Sequence, residues 1–600
     1  MGAIAVALDF AAPTPQDRAL RGLWRQPLQI WQADEPAQVL AVLAAVERAA
    51  AQGLWCVGYL RYEAASALDS AWPHRSADGP LAWFAAVPAP GHADSQPLQS
   101  NWPNEIQEPA PWAVWEPGWS RAEFDAAVQG IHAAIAQGRC YQINLTQRLR
   151  GRLHAGSPWA LYQALRRAQP GGYAAYIDSG GEQLLSVSPE LFFHWDGQRL
   201  LTRPMKGTAP RGINAQADMD QADALRRSPK ERAENVMIVD LLRNDVSRIA
   251  IPGSVRVPRL FHCEALPTVW QMTSDVEAQT RPGTALIDVM RALFPCGSIT
   301  GAPKREAMRL IQAWEPDARG PYCGAIGVVR PADSAGRIQA TFNVAIRTVV
   351  ARPRADGTHD LRCGIGSGIT IDAQAEGEWQ EWRHKRAFLD RAGQPFDLLE
   401  TLALCDGVFR HEHAHLQRMA RAAAHFGYRW SMPLAQQALM QVAQQHPQGH
   451  WRVRLLCTAS GQCRAQAFPL APTSVPVRLR LAIQPLQAAD SEFVRFKTTR
   501  RSHYEAFEPQ DPTVFDTILW NTRGELTECT RGNIALRMGG RWLTPALSAG
   551  LLDGVGRQQA LASGKLTEAV LRREDLGRAE ALAFLNSLRG WLPAVLAESS

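Results

Sequence analysis

The sequence predicts an α+β protein that folds as at least two domains. Its 600 residues exceed the size at which a single hydrophobic core stops growing. Segments with helical periodicity and segments with strand periodicity do not alternate regularly, which argues against a parallel sheet built from βαβ units. With 46% hydrophobic and 20% charged residues, the composition is that of a globular protein.

Composition and charge argue against nucleic acid and membranes as partners. The net charge is only +6, and Lys and Arg are interspersed with Asp and Glu. No stretch reaches the roughly 18 apolar residues that a membrane span requires. The ten cysteines form no CxxC pair, which favours a reducing compartment. The N-terminus lacks the charged region of a secretion signal, and we therefore expect a cytoplasmic protein.

Two breaks in the sequence suggest three domains. Residues 71–118 are rich in Pro, Ala, Gly and Trp without a sustained period, which predicts a long connection after an N-terminal subdomain of residues 1–118. A second break near Arg391–Pro395 separates a central domain, residues 119–390, from a C-terminal domain, residues 395–600.

The start of the central domain has a clear local pattern. Apolar residues recur at helical spacing from Arg121 to Ala136, and Gly138 is placed to end this helix. The alternating run Tyr141–Thr146 then predicts a strand.

Acidic residues occur at helical spacing in two places. Glu231 and Glu234 lie three residues apart and therefore on one helix face, and a second predicted helix carries Glu378, Glu381 and Lys385. Carboxylate oxygens from two helices suit Mg²⁺, which completes its coordination with water and substrate oxygens. A surface ion pair between Glu381 and Lys385 is the simpler alternative.

Five motifs make residues 120–390 resemble the chorismate-utilising enzymes. They are Arg203–Thr208, Ala233–Asp245, Phe294–Lys304, Ile346–Thr348 and Gly364–Ile369. The resemblance implies a domain of antiparallel sheets and helices around a cleft, in which Glu234 and Glu381 hold Mg²⁺. It also implies that carboxylates of chorismate are held by one group of residues: Tyr322, Arg347, Lys385 and the backbone around Gly366 and Gly368.

Lys206 distinguishes two kinds of enzyme within this family. Anthranilate-forming members have Ala at this position, whereas in 4-amino-4-deoxychorismate synthases a Lys attacks C2 of chorismate before ammonia adds at C4. A neutral amine is the nucleophile in such a step, so we expect a lowered pKa for Lys206, with Arg203 as a neighbouring cation. Gln271 stands where many relatives have His, so the group that protonates the leaving hydroxyl is unassigned, and Glu231 is one candidate.

The source of ammonia is not apparent in the sequence. No Cys-His-Glu arrangement typical of a glutaminase is recognisable. We therefore expect a separate glutamine amidotransferase subunit to supply ammonia, unless it comes from solution.

After residue 395 the chain resembles fold type IV pyridoxal-phosphate enzymes, which are also α+β, and especially 4-amino-4-deoxychorismate lyases. Six motifs carry this resemblance: Phe396–Thr401, His415–Arg418, Phe496–Thr498, Glu528–Asn533, Gly554–Arg557 and Asn586–Gly590. The alternating residues Phe493, Arg495 and Lys497 predict a strand that directs Lys497 to one face.

The second resemblance assigns a role to each matched residue. Lys497 binds the cofactor, and Glu528 pairs with its pyridine nitrogen. The cofactor phosphate is held by Arg418 and by the backbone at Val555 and Gly556, where Gly556 replaces the usual Thr. Thr401 assists proton transfer, and Arg589 contacts the substrate.

Together the resemblances imply amination of chorismate followed by elimination of pyruvate, which yields 4-aminobenzoate for folate synthesis. One alternative is an anthranilate-type synthase joined to a fold type IV aminotransferase. Lys206 argues against the anthranilate-type synthase, and Leu588–Gly590 argues against the aminotransferase. Another is a C-terminal domain that acts only as a scaffold for the amidotransferase, and a third is a regulatory module that binds chorismate without converting it.

Overall fold

The computed structural model describes residues 4–73, 75–90, 110–211, 215–265, 269–332 and 336–597. The chain divides into two compact units, Met1–Pro395 and Phe396–Ser600. The strands of the first unit are β1 (Val6–Phe10), β2 (Leu20–Trp24), β3 (Gln29–Ala33), β4 (Trp55–Leu60), β5 (Ala82–Val87), β6 (Trp112–Trp115), β7 (Gln142–Ala155), β8 (Tyr173–Asp178), β9 (Gln183–Ser188), β10 (Leu191–Trp195), β11 (Arg199–Arg203), β12 (Met205–Pro210), β13 (Arg256–Ala265), β14 (Val269–Gln279), β15 (Gly301–Ala302), β16 (Ala325–Pro331), β17 (Ile338–Val344), β18 (Thr348–Pro353) and β19 (His359–Thr370). Its helices are α1 (Pro36–Ala51), α2 (Ala65–Leu68), α3 (Arg121–Ala136), α4 (Pro158–Ala168), α5 (Ala215–Arg227), α6 (Pro229–Ser247), α7 (Leu286–Leu293), α8 (Lys304–Trp314) and α9 (Ala375–Gly393).

Two antiparallel sheets pack face to face in the first unit. Among the described residues, one sheet has the order β15-β7-β19-β18-β9-β8-β1-β2 with β6 beside β7, and the other has the order β12-β14-β11-β10-β17-β16-β4-β5-β3 with β13 beside β14. Apolar residues of both sheets, such as Leu8 of β1 and Tyr59 of β4, share one buried core. Helices α3, α4 and α9 cover the outer face of the first sheet, and α1, α6 and α7 cover that of the second. The layers are therefore helix, sheet, sheet, helix.

Local predictions for the first unit had mixed outcomes. The predicted helix is α3, because Ser120 caps it and its apolar residues face the core. The predicted long connection at residues 71–118 is wrong in part, since it contains β5 and β6. Strands β1 to β5 pair within the same two sheets as later strands, so no sheet ends at residue 118.

The described residues of the second unit, 396–597, form two sheets. Its strands are β20 (Leu398–Cys405), β21 (Val408–Phe409), β22 (His450–Cys457), β23 (Cys463–Pro469), β24 (Val477–Leu481), β25 (Asp516–Trp520), β26 (Leu526–Cys529), β27 (Asn533–Met538), β28 (Arg541–Pro545), β29 (Thr567–Ala569), β30 (Ala581–Asn586) and β31 (Gly590–Leu596). Its helices are α10 (Glu412–Phe426), α11 (Met432–Gln445), α12 (Glu492–Arg495), α13 (Ser502–Glu505) and α14 (Val555–Ala562). Helices α10 and α11 pack on the sheet β21-β20-β22-β23, and a mixed sheet of order β26-β25-β24-β31-β30-β27-β28-β29 forms the rest.

The strand predicted from Phe493 to Lys497 is wrong. Ser491 accepts a hydrogen bond from the amide of Phe493 and starts the short helix α12, so Lys497 follows a helix turn. Thr498 then forms a β-bridge with Leu398, which fixes the backbone beside Lys497. In the described part of the chain, no helix is both long and apolar enough to cross a membrane.

Candidate active sites

Four carboxylates from two helices face one another in the first unit. Glu231 and Glu234 lie in the first turns of α6, and Glu378 and Glu381 lie on α9. Burial raises the pKa of Glu231 and of Glu378, and neighbouring carboxylates on the same helix and on the opposite helix raise both further. Lys230 partly offsets this charge, with its Nζ 4.0 Å from Glu234 and 3.9 Å from Glu378. The two predicted acidic helices therefore share one electrostatic environment.

This acidic cluster fits a magnesium ion that takes few ligands from the protein. Among the described residues, no three His, Cys, Asp or Glu side chains are arranged to hold a metal on their own. Mg²⁺ commonly uses one or two carboxylates and completes its octahedron with water and substrate oxygens. Glu234 and Glu381 would supply those carboxylates, although Glu381 here pairs with Lys385 at 2.6 Å.

Lys206 projects toward a glycine of the neighbouring sheet. Its Nζ lies 2.6 Å from the position that a Cβ on Gly368 would occupy, and it forms no hydrogen bond within the described residues. The carboxylate of Glu231 lies beside the next residue, since a Cβ on Gly207 would be 3.0 Å from Glu231 Oε2. Arg203, predicted to be a neighbouring cation, instead binds Asp275 at 2.6 Å.

Glu190 is a candidate site residue that belongs to none of the sequence motifs. It is buried, and Ser298 Oγ donates a hydrogen bond of 2.7 Å to its Oε1. Burial raises the pKa of Glu190 to about 7, while Ser298 and the charges of Lys206 and Lys385 oppose a larger increase. A carboxyl that can hold a proton at neutral pH therefore lies close enough to Lys206 for the charge of the amine to affect its pKa.

The glycines of β19 let other groups approach the strand closely. A Cβ on Gly364 would lie 2.2 Å from the ring of Tyr322, and one on Gly366 would lie 2.4 Å from the Leu145 carbonyl oxygen. Lys385 Nζ donates a hydrogen bond of 2.9 Å to the Gly366 carbonyl. The predicted substrate positions Tyr322, Gly366, Gly368 and Lys385 thus lie along one strand.

Two further polar groups in the first unit lack partners. The guanidinium of Arg347 forms no hydrogen bond or ion pair among the described residues, and burial together with the charge of Arg391 lowers its pKa to about 10. Arg347 also has a positive φ of 49°, a conformation that is costly for a residue with a side chain. The amide of Gln142 is buried without a partner, and its Nε2 would lie 2.4 Å from a Cβ on Gly368. Both groups can receive a polar substrate.

Lys497 and Glu528 form the centre of a second site in the other unit. Burial lowers the pKa of Lys497 to about 7, and the charges of Arg501 and Arg418 contribute. Burial raises the pKa of Glu528 to about 7, although Tyr504 donates a hydrogen bond of 2.6 Å to its Oε1. Tyr504 was not identified from the sequence.

The first turn of α14 forms a possible phosphate site. Gly554 precedes the helix, and a Cβ on Gly556 would lie 2.8 Å from the carbonyl carbon of Asn586. The amides at Val555 and Gly556 are therefore close to the neighbouring loop, where a helix N-terminus favours an anion. Arg418 donates to Glu400 at 2.8 and 2.6 Å and to the Asp553 carbonyl at 3.3 Å, which leaves two of its five N–H groups for a phosphate.

The two remaining predicted residues have different surroundings. Thr401 lies half-buried on β20 opposite Arg454. Arg589 donates to the Ala471 carbonyl at 3.1 Å and to Thr473 Oγ1, so its guanidinium binds a loop of the protein. A buried lysine with a lowered pKa, a buried acid and the amides of a helix N-terminus fit pyridoxal phosphate.

Comparisons with known proteins agree with this division. Residues 16–391 match the chorismate binding enzymes, and residues 397–596 match the amino-transferase class IV family. The chain therefore belongs to the chorismate binding enzymes, and the predicted α+β fold and both family resemblances are confirmed.

Two named relatives each match a little under half of this chain. Aminodeoxychorismate synthase component 1 of Salmonella typhimurium is 39% identical over 269 residues, which cover 45% of this chain and 57% of that protein. Anthranilate synthase component 1 of Aquifex aeolicus is 35% identical over 289 residues, covering 48% and 56%. The chain thus spans little more than half the length of these relatives. The crystal structure of anthranilate synthase component I from Streptococcus pneumoniae has the same fold, with a TM-score of 0.51, 24% identity, and coverage of 61% of this chain and 91% of that one.

Proposed function

We propose that the first unit converts chorismate and ammonia to 4-amino-4-deoxychorismate, and that the second unit removes pyruvate from this product to leave 4-aminobenzoate. The observation that carries the first assignment is the amine of Lys206 beside the backbone of Gly368, in electrostatic interaction with the buried carboxyl of Glu190. A nucleophile and a proton donor therefore stand next to a strand that can hold carboxylates.

In the first unit, the neutral amine of Lys206 attacks C2 of chorismate. The C4 hydroxyl leaves as water and takes its proton from Glu190, whose pKa of about 7 keeps it partly protonated at neutral pH. Ammonia then forms a bond to C4 and breaks the bond between Lys206 and C2. Arg347 and the amides near Gly366 hold substrate carboxylates during both steps. Mg²⁺ held by Glu234 and Glu381 would supply positive charge to a substrate carboxylate.

In the second unit, Lys497 removes the proton from C4 of the aminated product. The ether bond at C3 then breaks, pyruvate leaves, and the ring becomes aromatic. Lys497 can accept this proton because its pKa is lowered to about 7. Pyridoxal phosphate, when bound, would act as an electron sink, and Glu528 would contact its ring nitrogen.

A glutamine amidotransferase is the proposed source of ammonia, and 4-aminobenzoate is the proposed product for folate synthesis. The match to a component 1 protein supports a partner subunit. Free ammonium should replace that partner in vitro.

Product analysis tests both assignments. The full chain is incubated with chorismate, Mg²⁺, ammonium and pyridoxal phosphate, beside Lys206→Ala, Lys497→Ala and the exposed control Lys565→Ala. We expect the wild-type protein and the control to form 4-aminobenzoate and pyruvate, Lys497→Ala to accumulate 4-amino-4-deoxychorismate, and Lys206→Ala to form neither. Anthranilate as the wild-type product would refute the first assignment. Transamination without release of pyruvate would refute the second.

A further inference from the structure

A cavity in the first unit is lined by several arginines. Arg61, Arg148, Arg352 and Arg362 surround one carboxylate, that of Asp78. Asp78 lies between α2 and β5, within the segment that the sequence predicted to be a connection. The cavity is therefore an arginine cluster closed around an acidic group of the protein itself.

Asp78 is held by all four guanidinium groups. Arg61 Nη1 lies 2.9 Å from Oδ1, Arg148 Nη1 lies 3.1 Å from Oδ2, and Arg352 Nη2 lies 3.5 Å from Oδ1. Arg362 Nη1 also contacts Oδ2. Against the effect of burial, these arginines lower the pKa of Asp78, so it is ionised in the folded protein.

The positive charge of this cluster exceeds its negative charge. Besides Asp78, the only carboxylate that the structure describes in contact with these four arginines is Glu182, which binds Arg352 at 2.8 Å and Arg61. Two other acids of the cavity region have partners elsewhere: Glu315 binds Arg319 at 2.6 Å, and Asp317 binds Arg150 at 2.8 Å. Four guanidinium groups therefore contact two carboxylates. The carboxyl of Glu63 interacts electrostatically with Arg61 and Asp78, but it accepts a hydrogen bond from the Gly320 amide and burial raises its pKa.

Part of this excess charge is accessible from solvent. The side chains of Arg352 and Arg362 are 26% and 28% exposed, whereas that of Arg61 is 1% exposed. Burial lowers the pKa of Arg362 despite the opposing effect of Asp78, and the charges of Arg352 and Arg148 lower it further. Another anion would thus relieve repulsion among partly desolvated cations.

We propose that this cavity binds a small dianion, either an inorganic oxyanion or a dicarboxylate, between Arg148, Arg352 and Arg362 and beside Asp78. Guanidinium groups suit such ligands because each can donate two parallel hydrogen bonds to a pair of oxygens. Arg61 is buried and bonded to Asp78, Glu182 and the Pro80 carbonyl, so it fixes Asp78 and does not contact the ligand.

The proposed anion site is distinct from the chorismate site, although both lie along β19. Arg362 and Gly368 are six residues apart on the same side of the strand, which corresponds to about 20 Å. Tyr322 lies between these ends, because its ring packs against Gly364 and lines the arginine cavity. The proposal does not depend on which reaction the first unit catalyses.

Isothermal titration at constant ionic strength tests the proposal. The full chain is loaded with pyridoxal phosphate, so that its phosphate site is filled, and is titrated separately with sulfate and with malonate. We expect one of these anions to bind to the wild-type protein. Arg362→Gln should weaken that binding about tenfold through loss of a charge-assisted contact, and Asp78→Asn should strengthen it by removing a negative charge.

Two further variants identify where the anion binds. Arg354→Gln is the matched control, because Arg354 is 40% exposed and pairs with Asp360 outside the cavity; it should bind like the wild-type protein. Arg347→Gln should also retain binding if the cavity is the site. Thermal midpoints report whether each variant is folded, and Arg352→Gln replaces Arg362→Gln if the latter does not fold.

The preference for sulfate or malonate distinguishes the two ligand classes. The proposal would be overturned if neither anion bound to the wild-type protein. Unchanged binding in folded Arg362→Gln, or loss of binding only in Arg347→Gln, would also overturn it.

Discussion

Ser298 Oγ donates a hydrogen bond of 2.7 Å to Oε1 of Glu190 in the interior of the first unit. This bond favours the ionised carboxylate, whereas burial favours the protonated acid and raises the pKa of Glu190 to about 7. The pKa that results from the hydrogen bond and from burial sets the pH range in which Glu190 can give a proton to a leaving group.

The activity of the first unit should fall as the pH rises through about 7, because Glu190 must be protonated to act as an acid. Ser298→Ala removes the hydroxyl that lowers the pKa of Glu190, so the decline in the activity of this variant should occur at higher pH. Glu190→Gln should lose about 100-fold or more in kcat and lose this decline. The measurement is kcat for amination with saturating ammonia, since ammonia itself titrates. Identical pH profiles for the wild-type protein and Ser298→Ala would refute this role for Glu190.

Glu528 should make the cofactor-free second unit less stable as the pH rises. The pKa of its carboxyl is raised from 4.5 to about 7 by burial. Its stabilising contribution is therefore complete below pH 4.5 and is lost as the pH rises toward 7, on the order of 3 kcal/mol in total. Glu528→Gln should lack this dependence. Denaturant unfolding of both proteins between pH 5 and pH 8 measures the difference, and a constant difference across that range would contradict the prediction.

Gly368→Ala should impair the first unit without unfolding it. The new Cβ would lie 2.4 Å from Gln142 Nε2 and 2.6 Å from Lys206 Nζ, so both side chains must move. We expect amination to fall at least about tenfold, because a small displacement of a nucleophile is costly. Gly377→Ala on α9 is the control, since a Cβ there meets nothing within 4 Å. Pyruvate release from added 4-amino-4-deoxychorismate should be unchanged in both variants; full amination by Gly368→Ala would show that Lys206 is placed differently.

Lys304 should prove structural, although it belongs to a motif of the family. Its Nζ lies 2.6 Å from Asp245 Oδ2 and donates to the Leu293 carbonyl at 3.2 Å, and both side chains of the pair are 7% exposed. Lys304→Met should destabilise the first unit by about 3–5 kcal/mol, because a buried carboxylate loses its partner. Adding Asp245→Asn should restore part of this loss. Chemical denaturation measures both effects, and Lys230→Met, which is half exposed, is the control; a loss no larger than that of the control would contradict a structural role.

The sequence predicted elements whose signals are local. Helix α3 has the predicted bounds, because regularly spaced apolar residues lie within it and Ser120 caps its start. The prediction for residues 493–497 failed because three alternating residues fit a short helix equally well, and the cap at Ser491 determines the outcome. Strand β5 was missed because all six of its residues are buried, so it shows no alternation of apolar and polar residues.

Site residues were predicted from the sequence only where they belong to a motif. Glu190 was missed because its partner Ser298 is 108 residues away, and neither residue signals the contact by itself. A charged residue between the buried strands β9 and β10 was the one available indication. Tyr504 lies 24 residues from Glu528, and only the fold brings them together. The roles of Lys206, Glu234, Glu381 and Lys497 remain predictions that the experiments above test.

The two compact units that meet after Pro395 belong to one polypeptide. Each translation event therefore produces both units in equal number, and a cell cannot adjust the abundance of one without the other. Any change in their relative throughput has to come from the activity of each unit, through its substrates, its cofactor or small ligands, and not from gene expression.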